Sequence, residues 1–200
     1  MYQRKDAFYA RAKAAGYRSR AAYKLIELDQ RFHLLHSGDH VVDLGAWPGG
    51  WLQVAAERVG PRGVVVGVDL KPIDSLSPPV VCVVGDVREI ATLDAVRRHC
   101  ADRVDAVLSD LAPKLSGVRA TDAARAAELG DVAMGAAESL LCPGGRLLMK
   151  LFQGAETATR LRRLRERFGS VKVTRPEATR SGSAEIYVAA LGFRAQPLSV

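Results

Sequence analysis

Three cysteines in 200 residues are too few, and too far apart, for a disulfide framework. Cys82, Cys100 and Cys142 are odd in number and contain no C-x-x-C pair, so they read as reduced thiols and exclude a zinc ribbon. His33, His36, His40 and His99 lack the i, i+4 spacing with an acidic partner that a helical metal site uses, and no metal is expected. Long apolar runs are missing as well. None approaches the roughly 20 residues of a membrane span. The opening MYQRKDAFYARAK is polar and has no apolar core of the kind a secretory signal needs. A cytoplasmic protein without membrane or metal is the expectation. At 48% hydrophobic residues the chain can bury one sizeable core, so residues 1–200 are expected to form one domain.

Net charge is +7, and its distribution is uneven. Residues 1–31 hold eight Lys/Arg against three acids, and residues 160–180 hold eight against two. Residues 32–159 hold twelve against sixteen. Segregation of this kind is the electrostatic footprint of a polyanion-binding face, provided the two ends meet in space.

The stretch VVDLGAWPGGW, residues 41–51, is an apolar run that ends in a glycine turn and passes into the helically spaced LQVAAERV. A strand entering a helix through such a turn brings backbone close to a nucleotide-like ligand. It is not a phosphate loop, because Trp51-Leu52 stand where Lys-Ser/Thr would follow the last glycine. Nor do Gly45, Gly49 and Gly50 have the G-x-G-x-x-G spacing of the dinucleotide fingerprint. The pattern D-x-G-x-x-P-G-G resembles instead the first motif of S-adenosylmethionine-dependent methyltransferases.

Along the chain, residues 2–15 read as a short helix or basic arm that Gly16 breaks. Ser19 can cap a helix through RAAYKLIELDQRF, with Ala21, Leu25, Leu28 and Phe32 as its buried stripe. Lys24 lies beside that stripe, where the plain alternative is an i, i+3 pair with Glu27. Residues 1–36 thus form a basic extension and a helix packed on the core. Residues 64–70 and 80–86 are β-branched runs suited to buried parallel strands. Residues 104–110 give a fourth strand and 146–152 a fifth, which follows the turn Pro143-Gly144-Gly145. SVKVTRP and AEIYVAALGF are the sixth and seventh, joined by a short loop and so able to pair antiparallel. Helices alternate with the strands, the longest over about 121–141. A further helix over 156–168 turns Leu161, Leu164 and Phe168 inward and a dense arginine face outward. The fold class is α/β: a Rossmann-like sheet of seven mostly parallel strands with one antiparallel strand and helices on both faces.

Three runs end in aspartate: Asp69, Asp86 and Asp110. Ligands of open α/β sheets bind at the carboxyl ends of the strands. Asp69, about twenty residues past the glycine turn, is placed to accept both ribose hydroxyls of an adenosine. Asp86 can accept from an adenine amino group, and Asp110 lies near a methionine moiety and the reacting methyl.

GYRSRAAYKL, VDLGAWPGGW, SDLAP with LSG, LLMKLFQG and RPEATRSGSAEIY follow one another over about residues 17–187. In that order they resemble the FtsJ-type ribosomal RNA 2′-O-methyltransferases. The resemblance implies a catalytic Lys-Asp-Lys-Glu tetrad at Lys24, Asp110, Lys150 and Glu185. It also implies S-adenosylmethionine as methyl donor, bound by Gly49, Trp51, Asp69, Asp86 and Asp110. The acceptor it implies is a uridine ribose in 23S ribosomal RNA, within the large ribosomal subunit, and the protein is expected to act as a monomer. Two other readings stand beside this one: the same chemistry on transfer RNA or an mRNA cap, and an RNA-binding assembly factor without activity.

The residues agree with the tetrad. A ribose hydroxyl needs its proton removed as it attacks the methyl of a sulfonium, and no metal is required. Lys150 sits in an apolar run, where burial favours the neutral amine of a general base while nearby acids oppose it. Lys24 can hold the hydroxyl or the adjacent phosphate, and Asp110 and Glu185 can orient the two lysines. Taken singly, Lys150 could be a strand-end lysine and Glu185 a partner for Arg180. Two positions depart from the family pattern: Trp47 stands where a small residue is usual, and Lys114 where Asn is usual.

Overall fold

The β-branched runs become strands of one sheet: β1 (His40–Leu44), β2 (Val64–Asp69) and β4 (Val104–Ser109) are buried inside it, whereas β3 (Val80–Val84) is an edge strand and only half-buried, against the expectation of a buried run. The computed structural model describes residues 7–113, 116–179 and 182–195, which leaves Lys114, Arg180 and the first six residues outside it. β5 (Leu141–Phe152), β6 (Phe168–Thr174) and β7 (Glu185–Phe193) complete the sheet, in the order β3-β2-β1-β4-β5-β7-β6. The β1, β2, β3, β4 and β5 pairings are parallel, and β7 runs antiparallel to both β5 and β6, as the short 175–184 connection requires. Strand order reverses between β1 and β4. That reversal opens a crevice at the strands' carboxyl ends.

Alternation along each strand assigns the helices to two layers. Val41, Val65, Ala106 and Leu148 face α2 (Ala22–Phe32) and α3 (Gly50–Val59), packing on Leu25, Leu28, Leu52 and Val54. Their neighbours Val42, Val66, Val107 and Leu147 face α4 (Ile90–His99), α5 (Arg119–Leu140) and α6 (Thr157–Arg167). A first helix, α1 (Ala7–Ala14), rests on α2, where Arg11 lies 4.6 Å over the Tyr23 ring. Among the described residues, no helix is long and apolar enough to cross a membrane, and no three acidic, His or Cys side chains gather as a metal site.

Several local expectations change. Ser19 does not cap α2: the helix starts at Ala22 after Ala21, without a side-chain cap bond. Leu25 and Leu28 are buried as expected, and Ala22, Lys24 and Asp29 are buried with them, while Ala21 and Phe32 are only half-buried. Lys24 is not paired with Glu27, whose carboxylate accepts from the Glu177 backbone N–H at 2.8 Å. β5 begins at Leu141, not after the Pro-Gly-Gly turn, because Leu141 pairs with Val104 before a register shift restores pairing at Arg146. Phe168 is buried as expected but opens β6 and does not belong to α6.

The two basic ends meet only in part. Arg31 donates to Thr174 Oγ1 at 2.6 Å and Arg20 to the Ala178 carbonyl at 2.8 Å, so α2 joins the segment after β6. The arginine-rich α6 belongs to the opposite layer. There Arg160 pairs with Asp131 and Glu156, and Arg163 with Glu138 of α5.

Candidate active site

The glycine turn closes β1 against β2. Gly45 and Ala46 both donate to the Val68 carbonyl, at 2.9 and 3.1 Å, and Gly49 donates to Ala46 at 2.7 Å. Gly49 has φ +109°, which side-chain-bearing residues rarely adopt. At Gly50 a Cβ would collide with Ser19 Oγ, so Ser19 acts on the turn by close packing and not as a cap. The Arg18 guanidinium secures the turn from outside, donating to the carbonyls of Pro48, Asp74 and Ser75 at 3.4, 2.7 and 2.9 Å. The Trp51 side chain faces away from the crevice. It is buried against α2 and its Nε1 donates to the Ala21 carbonyl at 2.8 Å. Only its backbone N–H can serve a ligand. The first-turn N–H groups of α3, Gly50 to Leu52, have no acceptor within the helix and form its positive end.

Beside this turn lies a cavity of about 340 Å³, lined by Gly45, Trp47, Asp69, Asp86, Asp110 and Leu129 among others. Asp69 is fixed from both sides. Its Oδ2 accepts from the Trp47 N–H at 3.0 Å and its Oδ1 from the Lys71 N–H at 2.9 Å. Asp86, two residues past β3, is held by the Arg88 guanidinium through bonds of 2.6 to 3.0 Å to both oxygens. Those hydrogen bonds keep the Asp86 carboxyl below the usual range. The Arg88 backbone N–H also donates to Oδ1, at 2.9 Å, so four hydrogen bonds from Arg88 engage the roughly four lone-pair positions of this carboxylate.

Asp43 is the residue that sequence reasoning quoted without giving a role. It is buried on the α2/α3 side of β1, and neither carboxylate oxygen has a hydrogen-bond partner. Burial raises its carboxyl well above the usual range, and the charges of Asp110 and Asp69 add to the effect. A space of about 20 Å³ adjoins it, lined by Ser19, Trp47, Trp51 and Asp110 among others, large enough for about one water. A lone acid inside an apolar β-branched run was the available signal.

All four tetrad positions converge. Lys150 is buried and donates to Asp110 Oδ1 at 2.9 Å and to the Asp110 carbonyl at 2.8 Å. Lys24 donates to Glu185 Oε2 at 3.0 Å. Joining the two pairs is Tyr187, which sequence analysis did not single out. Its hydroxyl accepts from Lys24 Nζ at 3.0 Å and donates to Asp110 Oδ1 at 2.8 Å. Burial first, then the Asp110 charge, push the Tyr187 phenol far up, so it stays a donor at any physiological pH. The result is one hydrogen-bonded chain, Glu185–Lys24–Tyr187–Asp110–Lys150. The signal for Tyr187 was its place two residues beyond Glu185, on the same face of β7. The burial and the opposing acid expected at Lys150 are both present.

The FtsJ-like methyltransferase family matches residues 17–193. The ribosomal RNA large subunit methyltransferase E of Halorubrum lacusprofundi is 44% identical, over 98% of this chain and 73% of its own length. The protein of that name from Coxiella burnetii is also 44% identical, over 94% of this chain and 91% of its own. Among solved structures, a ribosomal RNA methyltransferase described as putative, from Plasmodium falciparum, superposes with a TM-score of 0.78 at 29% identity. It covers 90% of this chain and all of its own. Fibrillarin from Aeropyrum pernix, with natively bound S-adenosyl-L-methionine, shares the fold at 18% identity and a TM-score of 0.58, over 88% of this chain and 75% of its own. A family match spanning the glycine turn, the strand-end carboxylates and all four tetrad positions leaves one assignment: the chain belongs to the FtsJ-like methyltransferase family.

Proposed function

We propose that this enzyme transfers the methyl group of S-adenosylmethionine to the 2′-hydroxyl of a uridine in 23S ribosomal RNA of the large subunit. The observation that carries the reading is the hydrogen-bonded chain Glu185–Lys24–Tyr187–Asp110–Lys150 at the mouth of the crevice. The names of the relatives supply the class of RNA. On this reading the enzyme works as a monomer in the cytoplasm.

The crevice fits the donor. The unpaired N–H groups at the start of α3, reached through Gly49 and the backbone of Trp51, suit a carboxylate. Asp69 is oriented by two backbone N–H groups and keeps lone pairs for ribose hydroxyls. Asp86 accepts from an adenine amino group once the exposed Arg88 side chain swings aside. Asp110 stands between the donor cavity and the lysines. S-adenosylmethionine supplies a methyl on a positively charged sulfur, which leaves as a neutral thioether.

On the acceptor side, Lys150 takes the proton of the ribose hydroxyl as the oxygen–methyl bond forms and the sulfur–methyl bond breaks. Asp110 aims Lys150 by accepting from its Nζ, and Tyr187 fixes Asp110. Lys24, held by Glu185 and Tyr187, presents a cation to the attacking oxygen or the adjacent phosphate. General-base assistance of this kind contributes about 10²- to 10⁴-fold, and alignment of oxygen, methyl and sulfur adds to it.

The test is a map of ribose methylation in large-subunit RNA from cells lacking this protein. One 2′-O-methyl mark should disappear, return with the wild-type gene and stay absent with Lys150→Ala. A complete set of marks in the deletion strain, or a mark lost from transfer RNA instead, would refute the assignment.

A further inference from the structure

We infer that Trp47 is a cofactor-contacting residue whose indole covers the ribose side of the adenosine, with Lys71 holding the indole in place. The inference rests on the proposed cofactor reading of the crevice.

Trp47 is half exposed, at 51%, yet its backbone is tightly fixed. Its N–H donates to Asp69 Oδ2, and the Lys71 N–H donates to the other oxygen of that carboxylate. The two side chains then meet, with Lys71 Nζ 4.3 Å from the centroid of the indole. A cation at that distance from a ring face is attracted to it and restricts its rotamers. One carboxylate thus anchors both members of the stacked pair, and it is the carboxylate placed to receive ribose hydroxyls.

Position in the sheet separates this site from the RNA. Trp47 and Lys71 lie on the β1/β2 side of the crevice, and Trp47 lines the donor cavity with Asp69 and Leu70. The tetrad residues Lys150 and Glu185, with Tyr187, lie on β5 and β7, beyond β4. Arg20, just before α2, and Arg31, near its end, reach the segment after β6 and the end of β6, beyond them again. An indole on the donor side meets the adenosine before it meets the acceptor. Leu70 beside it is also exposed, so the rim offers apolar surface that a bound adenosine would cover.

The probe is S-adenosylhomocysteine, which binds without reacting, measured by calorimetry against wild type, Trp47→Ala and Trp47→Phe. An aromatic contact of this size contributes about three- to tenfold in affinity. Trp47→Ala should bind the probe about three- to tenfold more weakly, Trp47→Phe should recover part of the loss, and RNA affinity should stay constant. Wild-type indole emission should change on binding, and most of the change should be lost in Trp47→Phe, because the remaining indole, Trp51, is buried and held by the Ala21 carbonyl. Unaltered probe affinity in Trp47→Ala, or a loss of RNA affinity in its place, would overturn the inference. If wild type itself does not bind the probe, the cofactor reading fails first and this inference with it.

Discussion

The donor side of the crevice and the acceptor side are built by different means. On the donor side, the contacts that fix Asp69 and close the turn run through backbone, with the Arg18 side chain bracing the turn from 30 to 57 residues away. Trp47 and Lys71 N–H groups fix Asp69 across 22 and 2 residues, and the turn's own bonds close within the β1–α3 segment and on Val68. On the acceptor side, contacts are long-range and run between side chains. Lys24 reaches Glu185 across 161 residues and Tyr187 across 163, and Tyr187 reaches Asp110 across 77. Donor geometry therefore follows from a turn and the ends of neighbouring strands. Acceptor geometry exists only when α2, β4, β5 and β7 are all in place, so single side-chain changes should damage the two sides differently.

Asp110→Ala should show the largest effect, because it removes the acceptor for both Lys150 and Tyr187. Methyl transfer is expected to fall about 10²- to 10⁴-fold, measured as single-turnover rate on large-subunit RNA. Tyr187→Phe keeps both ends of the chain but deletes its middle hydroxyl, leaving a buried Lys24 with one partner fewer. A rate loss of about 10- to 100-fold is expected with unaltered S-adenosylhomocysteine affinity, and a stability loss of about 1–3 kcal/mol in urea titration. A rate equal to wild type would mean that the two halves of the chain work independently.

Asp43→Asn addresses the donor side. Its carboxyl is raised in the fold, so the unfolded chain loses that proton first as pH climbs past the ordinary carboxylate range. The acid therefore destabilises the cofactor-free fold progressively above about pH 4, and least below it. Asn in its place should raise stability by about 1–3 kcal/mol at pH 7, with the gain shrinking toward pH 4. Melting curves across that range provide the check. A gain independent of pH would assign the effect to packing. Smallest of all is Arg88→Ala. The Arg88 guanidinium is more than half exposed, so solvent screens its pairs with Asp86 and Glu128. Stability should barely move, while cofactor affinity holds or rises as Asp86 is uncovered.

The same contrast explains what could be read beforehand. The strands, the glycine turn and the strand-end places of Asp69, Asp86 and Asp110 around one cavity were legible, because period-two burial and strand-end placement are local properties. Lys24, Lys150 and Glu185 could be named only through family resemblance, since no spacing rule links residues that meet across 161 positions. Tyr187 went unread because a tyrosine in an apolar strand looks like core, which it also is. Asp43 was taken as one letter of the turn pattern, and its isolation appears only when the turn folds over it. The expected cap at Ser19 failed for a related reason: tertiary packing against Gly50 uses the side chain instead. Charge counting found the basic ends but not their layers. Only the packing on the two faces of the sheet reveals that α6 lies across it from α2.

Lys150 tests the division between the two sides most directly. Single-turnover methyl transfer and S-adenosylhomocysteine affinity should be measured on one preparation of Lys150→Ala. Transfer is expected to fall at least about 100-fold while affinity stays within about threefold of wild type. Transfer at the wild-type rate, or a loss of affinity that matches the loss of rate, would contradict the account.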